Sequence, residues 1–470
     1  MSKTAHIWVR DEVWMTVAGL EVSDHTFLWN KFGIEVEGSF FMPARKLGRW
    51  DGKLRFFDKT GKVYLRFLND IVPFLEKWNY EIELHDERRP LNLVTGRLTP
   101  TWFNDHGRAQ IPVTLRPYQV DAVNACLHEG SGMVIAATGS GKTWMCAGLV
   151  DVVGSEGLRS ITIVPSSDLV GQTSSTFKLA GIEHGLYSGS EKNLYQPHVI
   201  ATWQALQNNP TVMADFQTVI VDEAHGAKAS TIGELITEHG KNIGYRFGFT
   251  GTLPKPLTDQ YTLRGSIGEV LYSITAADLI QMGFLARLEI EPVEITENVG
   301  EEFPDYSSEK AFTSRSPERL DFMADLIISR AAEHGNTLVL VNTIKQGQQL
   351  HKLIKDSVFL CGASENDIRA EWYGTFAHRD DLIVIATAGI ASTGISIDRV
   401  FNLMLIDAGK SFIRAIQSIG RGLRKSADKD FVHVCDVYSG LKWGKKHFKE
   451  RARYYKDAEY PVLKPTKVKL

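Results

Sequence analysis

The sequence predicts an α/β chain: two parallel-sheet domains in tandem, with a small α+β domain in front of them. Three observations predict it. Between residues 131 and 250, short β-branched runs alternate with helix-length segments. The alternation restarts between 337 and 437. Ahead of both lie about 100 residues of short apolar and aromatic runs broken by turns. A chain of 470 residues has room for about three domains of 100–200 residues each.

Composition narrows the class. With 43% hydrophobic and 23% charged residues, the chain can bury ordinary cores. No apolar run reaches the roughly 18 residues of a membrane span. The opening MSKTAHIWVRDEVW is too polar for a secretory signal. Cys126, Cys146, Cys361 and Cys435 are scattered, with no C-x-x-C pair, and read as reduced core residues. The expectation is a cytoplasmic protein with no membrane partner. The net charge of −3 hides an asymmetry. Residues 1–110 carry 16 basic and 15 acidic side chains, and residues 441–470 carry 10 and 3. Local basic stripes can therefore supply a field that the total charge conceals.

In the first unit (1–100), His6–Val9, Val13–Val17 and Ile34–Val36 read as strands and Asp70–Trp78 as a helix. The segment Pro43–Arg66 concentrates Arg45, Lys46, Arg49, Lys53 and Arg55 with Trp50, Phe56, Phe57 and Tyr64. Trp50-Asp51-Gly52-Lys53 and Lys59-Thr60-Gly61-Lys62 read as two hairpin turns. Alternation puts Lys53 and Arg55 on one face of a strand. Such a ribbon can hold nucleic-acid phosphates and stack on bases. Equally, it can be a solvated hairpin whose aromatics form the small core.

The second unit (111–290) opens with Leu115-Arg116-Pro117-Tyr118-Gln119 and an amphipathic helix. Gly132–Thr143, GMVIAATGSGKT, then reads as a buried strand, a glycine loop and a helix start. Backbone N–H groups in such a loop cradle anions. Lys142 supplies a charge to phosphate, and Thr143 a hydroxyl to Mg²⁺. Thr138, Gly139, Ser140 and Gly141 complete the nucleotide loop, and Gln119 has the paired donor and acceptor an adenine edge needs. Strands follow at Ser160–Pro165, His198–Trp203, Thr218–Asp222 and Tyr245–Thr250. Asp222 and Glu223 end an apolar run, where one carboxylate can hold Mg²⁺ and the other orient water. Leu257–Glu301 reads as transitional and Glu294–Ser316 as a linker.

The third unit (310–440) has strands at Thr337–Asn342, Val358–Cys361, Leu382–Thr387, Asn402–Asp407 and Phe431–Val437, and no glycine phosphate loop. In Gln417–Arg424, QSIGRGLR, Arg421 and Arg424 share a helix face and suit phosphate recognition. That suggests a composite site shared by two domains. Residues 441–470 read as a helix and then a basic tail.

Together these segments resemble the motifs of superfamily 2 helicases. ATGSGKT (137–143), VDEAH (221–225), FTGTL (249–253), ATAGIASTGISI (386–397) and QSIGRGLR (417–424) are similar to motifs I, II, III, V and VI, in order. LRPYQ (115–119) resembles the adenine-reading motif, VPSSDLVGQ (164–172) and ATWQAL (201–206) motifs Ia and Ib, and LVLVNTIKQGQQL (338–350) motif IV. Compact length, the basic PARKLGRWDGKLRFF region and the STGIS form of motif V resemble the UvsW-type helicases of T-even-like bacteriophages. Ser396 departs from the aspartate common in motif V.

The resemblance implies two RecA-like domains and an ATP hydrolase using Mg²⁺. It implies catalytic roles for Lys142, Asp222, Glu223, Gln417, Arg421 and Arg424, with Arg116 beside the nucleotide. Thr143 and Asp222 would hold the metal. Phosphate contacts to nucleic acid would come from Thr202, Gln204, Asn342, Thr343, Thr387 and Gly394. His225, Thr250, Gly251 and Thr252 would couple the two sites. The implied activity is remodelling of branched DNA (forks, Holliday junctions, D-loops, R-loops) in phage recombination, repair and replication control, with strand annealing. The implied partners are branched, single-stranded and duplex DNA, RNA–DNA hybrid, and single-stranded-DNA-binding and recombination proteins. The chain would act as a monomer in the host cytoplasm. Two rival readings remain: a duplex translocase or restriction-type motor without strand separation, and an ATP-gated DNA-binding or annealing protein without motor action.

Overall fold

The computed structural model describes residues 3–91, 93–224, 229–297, 299, 303–361, 375, 378–387, 399–409 and 431–470. It groups the chain into two compact units, one of residues 1–137 with 141–274, the other of 275–470 with 138–140. Three sheets carry the architecture, and the α/β class with two parallel-sheet domains is as the alternation predicted.

The N-terminal sheet contains β1 (Lys3–Val9), β2 (Trp14–Ala18), β5 (Lys62–Tyr64) and β6 (Tyr80–Asp86), ordered β5-β2-β1-β6. A separate antiparallel pair joins β3 (Gly33–Glu35) to β4 (Lys53–Arg55). Along β1, Ala5, Ile7 and Val9 are buried while Thr4, His6 and Trp8 are only partly covered. That is the period-2 pattern of a sheet with one face on a core. Helices Val22–Lys31 and Leu68–Lys77 border this core. Leu28, Ile71 and Leu75 are buried in it, beside Phe56, Phe57, Tyr64 and Phe67. The aromatics of the basic segment are thus mostly core. Lys59–Lys62 does make a tight turn, with Gly61 at φ 79° and Phe57 bridged to Val63. Trp50–Lys53 does not: β4 pairs with β3, leaving residues 36–52 as a long arm that connects the two strands.

The second sheet contains β7 (Ser131–Ala136), β8 (Ser160–Val164), β9 (His184–Ser188), β10 (Glu191–Lys192), β11 (His198–Thr202), β12 (Thr218–Asp222), β13 (Tyr245–Thr250) and β14 (Val270–Ile274). Its order is β10-β9-β11-β8-β12-β13-β7-β14. All neighbours are parallel except the short β9–β10 hairpin. β8, β11, β12 and β13 are buried at every residue, as expected of strands covered on both faces. Cys126 and Cys146 lie in this core, and burial pushes both thiols up, Cys126 to about 12. All four cysteines are free.

The N-terminal domain is packed on this second sheet's domain through helix Leu257–Ser266. The Tyr261 ring packs at a tilt of about 45° against Phe56 and Phe67, with centroids 5.4 and 5.6 Å away. Arg264 bridges Asp70 at 2.5 Å, and a Cβ on Gly265 would lie 2.3 Å from the Tyr64 ring. Elsewhere Glu12 N–H donates to Lys241 O at 2.9 Å.

The third sheet contains β15 (Arg287–Thr296), β16 (Thr337–Val341), β17 (Val358–Leu360), β18 (Ile383–Thr387), β19 (Asn402–Ile406), β20 (Phe431–Ser439) and β21 (Thr466–Lys469). The order is β17-β18-β16-β19-β20-β15-β21, parallel throughout. Two expected boundaries are corrected here. Residues 275–296 belong with the third unit, because β15 pairs with β20 over nine residues. The C-terminal segment is not a tail. Helix Lys442–Asp457 buries Arg451 against Asp436 with bonds of 2.8 and 2.9 Å, and β21 pairs with β15. Glu309 accepts from the N–H groups of Trp443 and Gly444 at 2.8 and 2.6 Å, placing a carboxylate at that helix's N-terminus.

His198, at the start of β11, is buried and bonded to Ser160 Oγ at 2.8 Å. Helix Lys142–Ser155 approaches it so closely that a Cβ on Gly154 would lie 2.5 Å from its Nε2. Burial lowers its pKa from 6.5 to about 4. The unfolded chain therefore takes up this proton first as pH falls. His198 costs nothing above pH 6.5 and costs up to ~3 kcal/mol once pH drops below about 4. His198→Gln should flatten that part of the acid dependence, read as the difference in urea midpoint between the variant and the parent at pH 7 and pH 4.5.

Candidate active site

The carboxyl ends of β7 and β12 lie on the same edge of the second sheet, separated only by β13. Parallel pairing forces this, since every strand points the same way. At the end of β7 the chain turns through Gly139 and Gly141, with φ of 85° and 82°. Gly141 then caps helix Lys142–Ser155 and accepts from Trp144 N–H at 2.9 Å. Only glycine suits Gly141. Its φ is left-handed, and an added Cβ would sit 2.3 Å from Gln119 Nε2.

Lys142 is 8% exposed, and its Nζ donates to Ala136 O at 3.2 Å. It also faces Glu223 Oε1 at 3.6 Å. Glu223 itself is held at φ 49°, a backbone state that costs a non-glycine residue of order 1 kcal/mol or more. Two bonds hold it there: Glu223 N–H donates to Asp222 Oδ1 at 2.9 Å, and Ala224 N–H to Phe249 O at 3.1 Å. The turn aims the Glu223 carboxylate at Lys142, while Asp222 stays buried at the strand end.

Gln119 is buried beside the loop, but its Oε1 accepts from Arg116 N–H at 2.8 Å. Gln119 thereby satisfies the backbone N–H that starts helix Pro117–Glu129, while its own N–H donates to Arg116 O at 2.9 Å and the Arg116 guanidinium donates to Tyr118 Oη at 2.9 Å. Gln119 Nε2 is the atom that faces Gly141. Thr250 Oγ1 donates to Thr252 O at 2.7 Å, closing the Thr250-Gly251-Thr252 turn at the end of β13. Thr138, Gly139, Ser140 and Thr143 lie along the same loop and helix start, Gly139 and Ser140 buried and the two threonines half-buried.

The edge thus brings together Gln119, Gly141, Lys142, Asp222 and Glu223. Thr202 and Gln204 are on the same edge at β11, four strand spacings and therefore roughly 19 Å from β7. Thr202 caps helix Trp203–Gln207 and is buried, while Gln204 is exposed and donates to Pro165 O at 3.3 Å. In the third sheet, Asn342 and Thr343 follow β16, next to Thr387 at the end of β18. Thr343 caps helix Ile344–Leu353. Asn342 differs from the expected phosphate contact. Its Nδ2 donates to Asp407 O and, at 3.4 Å, to Tyr306 Oη, so the amide braces β16 to the end of β19. His225, Gly394, Gln417, Arg421 and Arg424 lie outside the described residues.

The basic segment divides in two. Arg45 is tied to Glu35 and Ser39, and Arg55 to Asp51 and the face of Trp29 at 3.8 Å. Lys46 and Arg49 are exposed, and Lys53 is half-buried. The sequence reading missed the arm's apolar tip: Phe40, Phe41 and Leu47 are 69%, 74% and 65% exposed. Two adjacent phenylalanines in a polar stretch were the available signal.

A site for ATP with Mg²⁺ fits these residues. The loop turns on two left-handed glycines, and an almost covered ammonium faces the Glu223 carboxylate, next to Asp222 at the strand end. Lys142 and the loop would hold phosphate, and Thr143 and Asp222 the Mg²⁺.

Comparison with known proteins agrees. Residues 112–255 match the family model described as type III restriction enzyme, res subunit. Residues 14–85 match DNA helicase UvsW, N-terminal. The chain is 24% identical to the ATP-dependent DNA helicase uvsW of Enterobacteria phage T4, covering 95% of this chain and 97% of that protein. The crystal structure of T4 UvsW matches over 99% of both chains, with a TM-score of 0.50 at 21% identity, a likeness of fold. A type I restriction enzyme endonuclease subunit of Staphylococcus saprophyticus is 30% identical over 30% of this chain and 18% of its own length. The chain is therefore similar to the UvsW-type superfamily 2 helicases in its N-terminal domain and in its phosphate-loop domain. Among the described residues, no helix is long and apolar enough to cross a membrane.

Two substitutions separate the roles at this edge. Lys142→Ala should abolish nucleotide binding, read by fluorescent-nucleotide titration. Glu223→Gln should keep nucleotide binding and lower turnover by roughly 10²–10⁴-fold, the range for loss of a general base. Equal turnover in Glu223→Gln and the parent would remove Glu223 from the chemistry.

Proposed function

We propose, for a chain similar to UvsW-type superfamily 2 helicases over nearly its whole length, that it is an ATP-dependent DNA helicase that remodels branched DNA. Its substrates on this reading are forks, four-way junctions, D-loops and R-loops, in phage recombination, repair and replication control, with annealing of complementary strands. The observation that carries the ATPase half is the Lys142–Glu223–Asp222 cluster beside the glycine loop. The observation that supports branched DNA is the arm, residues 36–52, in which Phe40, Phe41, Lys46 and Arg49 are all exposed.

When bound, ATP with Mg²⁺ supplies the free energy of phosphoanhydride cleavage. The residues of this chain do the rest. Lys142 exchanges its Ala136 carbonyl and Glu223 carboxylate for phosphate oxygens. Asp222 and Thr143 would hold the metal. Glu223, set by its left-handed backbone, orients water and accepts its proton. Gln119 presents its amide nitrogen beside the loop. Gln417, Arg421 and Arg424 are assigned to phosphate recognition on motif likeness alone. Thr202, Gln204, Thr343 and Thr387 are the residues we assign to strand phosphates, together with Gly394, and His225 joins Thr250-Gly251-Thr252 in coupling. Asn342 acts from behind, by fixing the β16 edge.

The arm moves with the motor unit because its domain is packed on helix Leu257–Ser266, which follows the Thr250-Gly251-Thr252 turn. A duplex meeting the arm finds lysine and arginine for its backbone and two aromatic faces for unstacked bases. The second reading, a duplex translocase that does not part strands, is favoured by the res-subunit match over 112–255.

ATPase activity measured on single strands, duplex, forks, four-way junctions and RNA–DNA hybrid tests the proposal. Stimulation should be highest on branched substrates, and equal stimulation by plain duplex would favour the translocase. Phe40→Ala with Phe41→Ala should weaken fork binding by about 30-fold or more, at 1–3 kcal/mol for each of two stacked bases, and slow strand displacement while basal ATPase holds. An unchanged fork affinity would remove the aromatic tip from the DNA interface.

A further inference from the structure

We propose that His6, Glu83 and His85 form a binding site for a divalent transition-metal ion of the zinc class on the outer face of the N-terminal sheet. The site lies apart from the phosphate loop and does not rest on the ATPase reading.

The sheet builds it. β1 and β6 run parallel with His6 directly opposite Glu83 and Trp8 opposite His85. Period 2 sends His6, Trp8, Glu83 and His85 to one face, while Ala5, Ile7 and Val9 enter the core on the other. Three donor atoms then converge. His6 Nδ1 lies 3.0 Å from Glu83 Oε2 and 3.4 Å from His85 Nε2, and His85 Nε2 lies 3.7 Å from the same Glu83 oxygen. A tetrahedral ion with bonds of 2.0–2.1 Å has ligand atoms about 3.3 Å apart. The observed triangle brackets that edge on all three sides, with the same atom of each residue at every vertex.

A shared proton explains only part of this. It would link His6 to Glu83, but the His85 nitrogen faces both groups as well, at 3.4 and 3.7 Å, and that proton does not reach it. Ion pairs this exposed are worth about 0–1 kcal/mol, too little to assemble three groups by themselves. The rings are also oriented in advance. Trp8 stacks flat on His85 with centroids 4.0 Å apart, and the Arg10 guanidinium lies over Trp8 at 5.1 Å. Arg10 is fixed in turn by Glu87 at 2.7 Å. Two imidazoles and one carboxylate select zinc, cobalt, nickel or copper over magnesium or calcium. Three protein ligands leave the fourth position for water or an incoming donor. Bound metal would clip β1 to the edge strand β6 of the domain that carries the basic arm.

The test uses the full-length chain, stripped with chelator and free of nucleotide, titrated with Co²⁺ and read by its visible absorption, with Zn²⁺ as competitor. The parent should show one saturable site that Zn²⁺ displaces. His6→Ala, His85→Ala and Glu83→Gln should each lose more than the roughly 10–100-fold in affinity that removal of an outer-shell partner costs. Glu83→Gln keeps the side chain's shape and decides the matter if either histidine variant fails to fold by circular dichroism. No saturable binding in the parent, or parental affinity in any folded variant, overturns the site.

Discussion

The phosphate-loop domain depends on one loose ion pair. Lys142 and Glu223 face each other at 3.6 Å, with only 8% and 18% of their side chains exposed. Burying two charges is costly, and the attraction repays it fully only when geometry is tight. Here it is not tight: the separation is beyond a good charge-assisted hydrogen bond, and the lysine divides itself with the Ala136 carbonyl. The pair is therefore held by what surrounds it. The Gly141 turn fixes one side and the Asp222–Ala224 turn, anchored to Phe249 O, fixes the other. An ammonium kept covered yet poorly paired is ready to exchange partners for a more highly charged anion.

Three arginines with no exposed side chain show how the sheets are locked around their working edges. Arg246 donates to the carbonyls of Ser266, Gly240, Ile243 and Ile236 and has no carboxylate among these partners. It closes the chain segments that surround β13 at the end away from the active edge. Arg319 instead meets Asp407 and Glu297. Asp407 is itself at φ 48° and passes its carbonyl to Asn342. Arg451 is bidentate to Asp436, which also accepts from Tyr455 Oη at 2.7 Å, and burial beside that carboxylate raises the Tyr455 pKa. Leaving any of these partners unpaired in a dry interior costs several kcal/mol, so each arginine specifies a local geometry more than it adds net stability.

What the sequence disclosed follows the same physics. Fully buried parallel strands announce themselves as unbroken β-branched runs, so β8, β11, β12, β13 and β16 to β20 were legible, as were the glycine loop and the acid pair. β15 was not. Its Arg287–Thr296 alternates glutamates with apolar residues and contains Pro292, and it reads as part of the transitional segment Leu257–Glu301. In the fold its charges are absorbed: Glu291 is paired with His433 and Arg330, which draw its pKa down to about 2, and Glu294 is buried against Tyr438 Oη. The C-terminal helix misled similarly, because a +7 segment gives no hint that one of its arginines is core. Asn342 matched a motif by type, but its amide serves Asp407, a contact 65 residues away that no local pattern encodes.

The division of aromatics in the N-terminal domain carries the argument from fold to function. Phe56, Phe57, Tyr64 and Phe67 are drawn inward, and two of them, Phe56 and Phe67, also seat Tyr261 of the phosphate-loop domain. The same cluster thus makes the small core and attaches it. That attachment is aromatic and reinforced by Arg264–Asp70, and the small domain falls in one compact unit with β7 to β14. Helix Leu257–Ser266 is reached from Thr252 through Leu253–Pro256 alone. The turn at the end of β13 and the base of the N-terminal domain are thus joined through that helix and the side chains packed on it. Phe40 and Phe41 of the same domain stay outside this core, exposed and set edge to face against each other at 5.7 Å, where solvent gives them no reason to be aromatic.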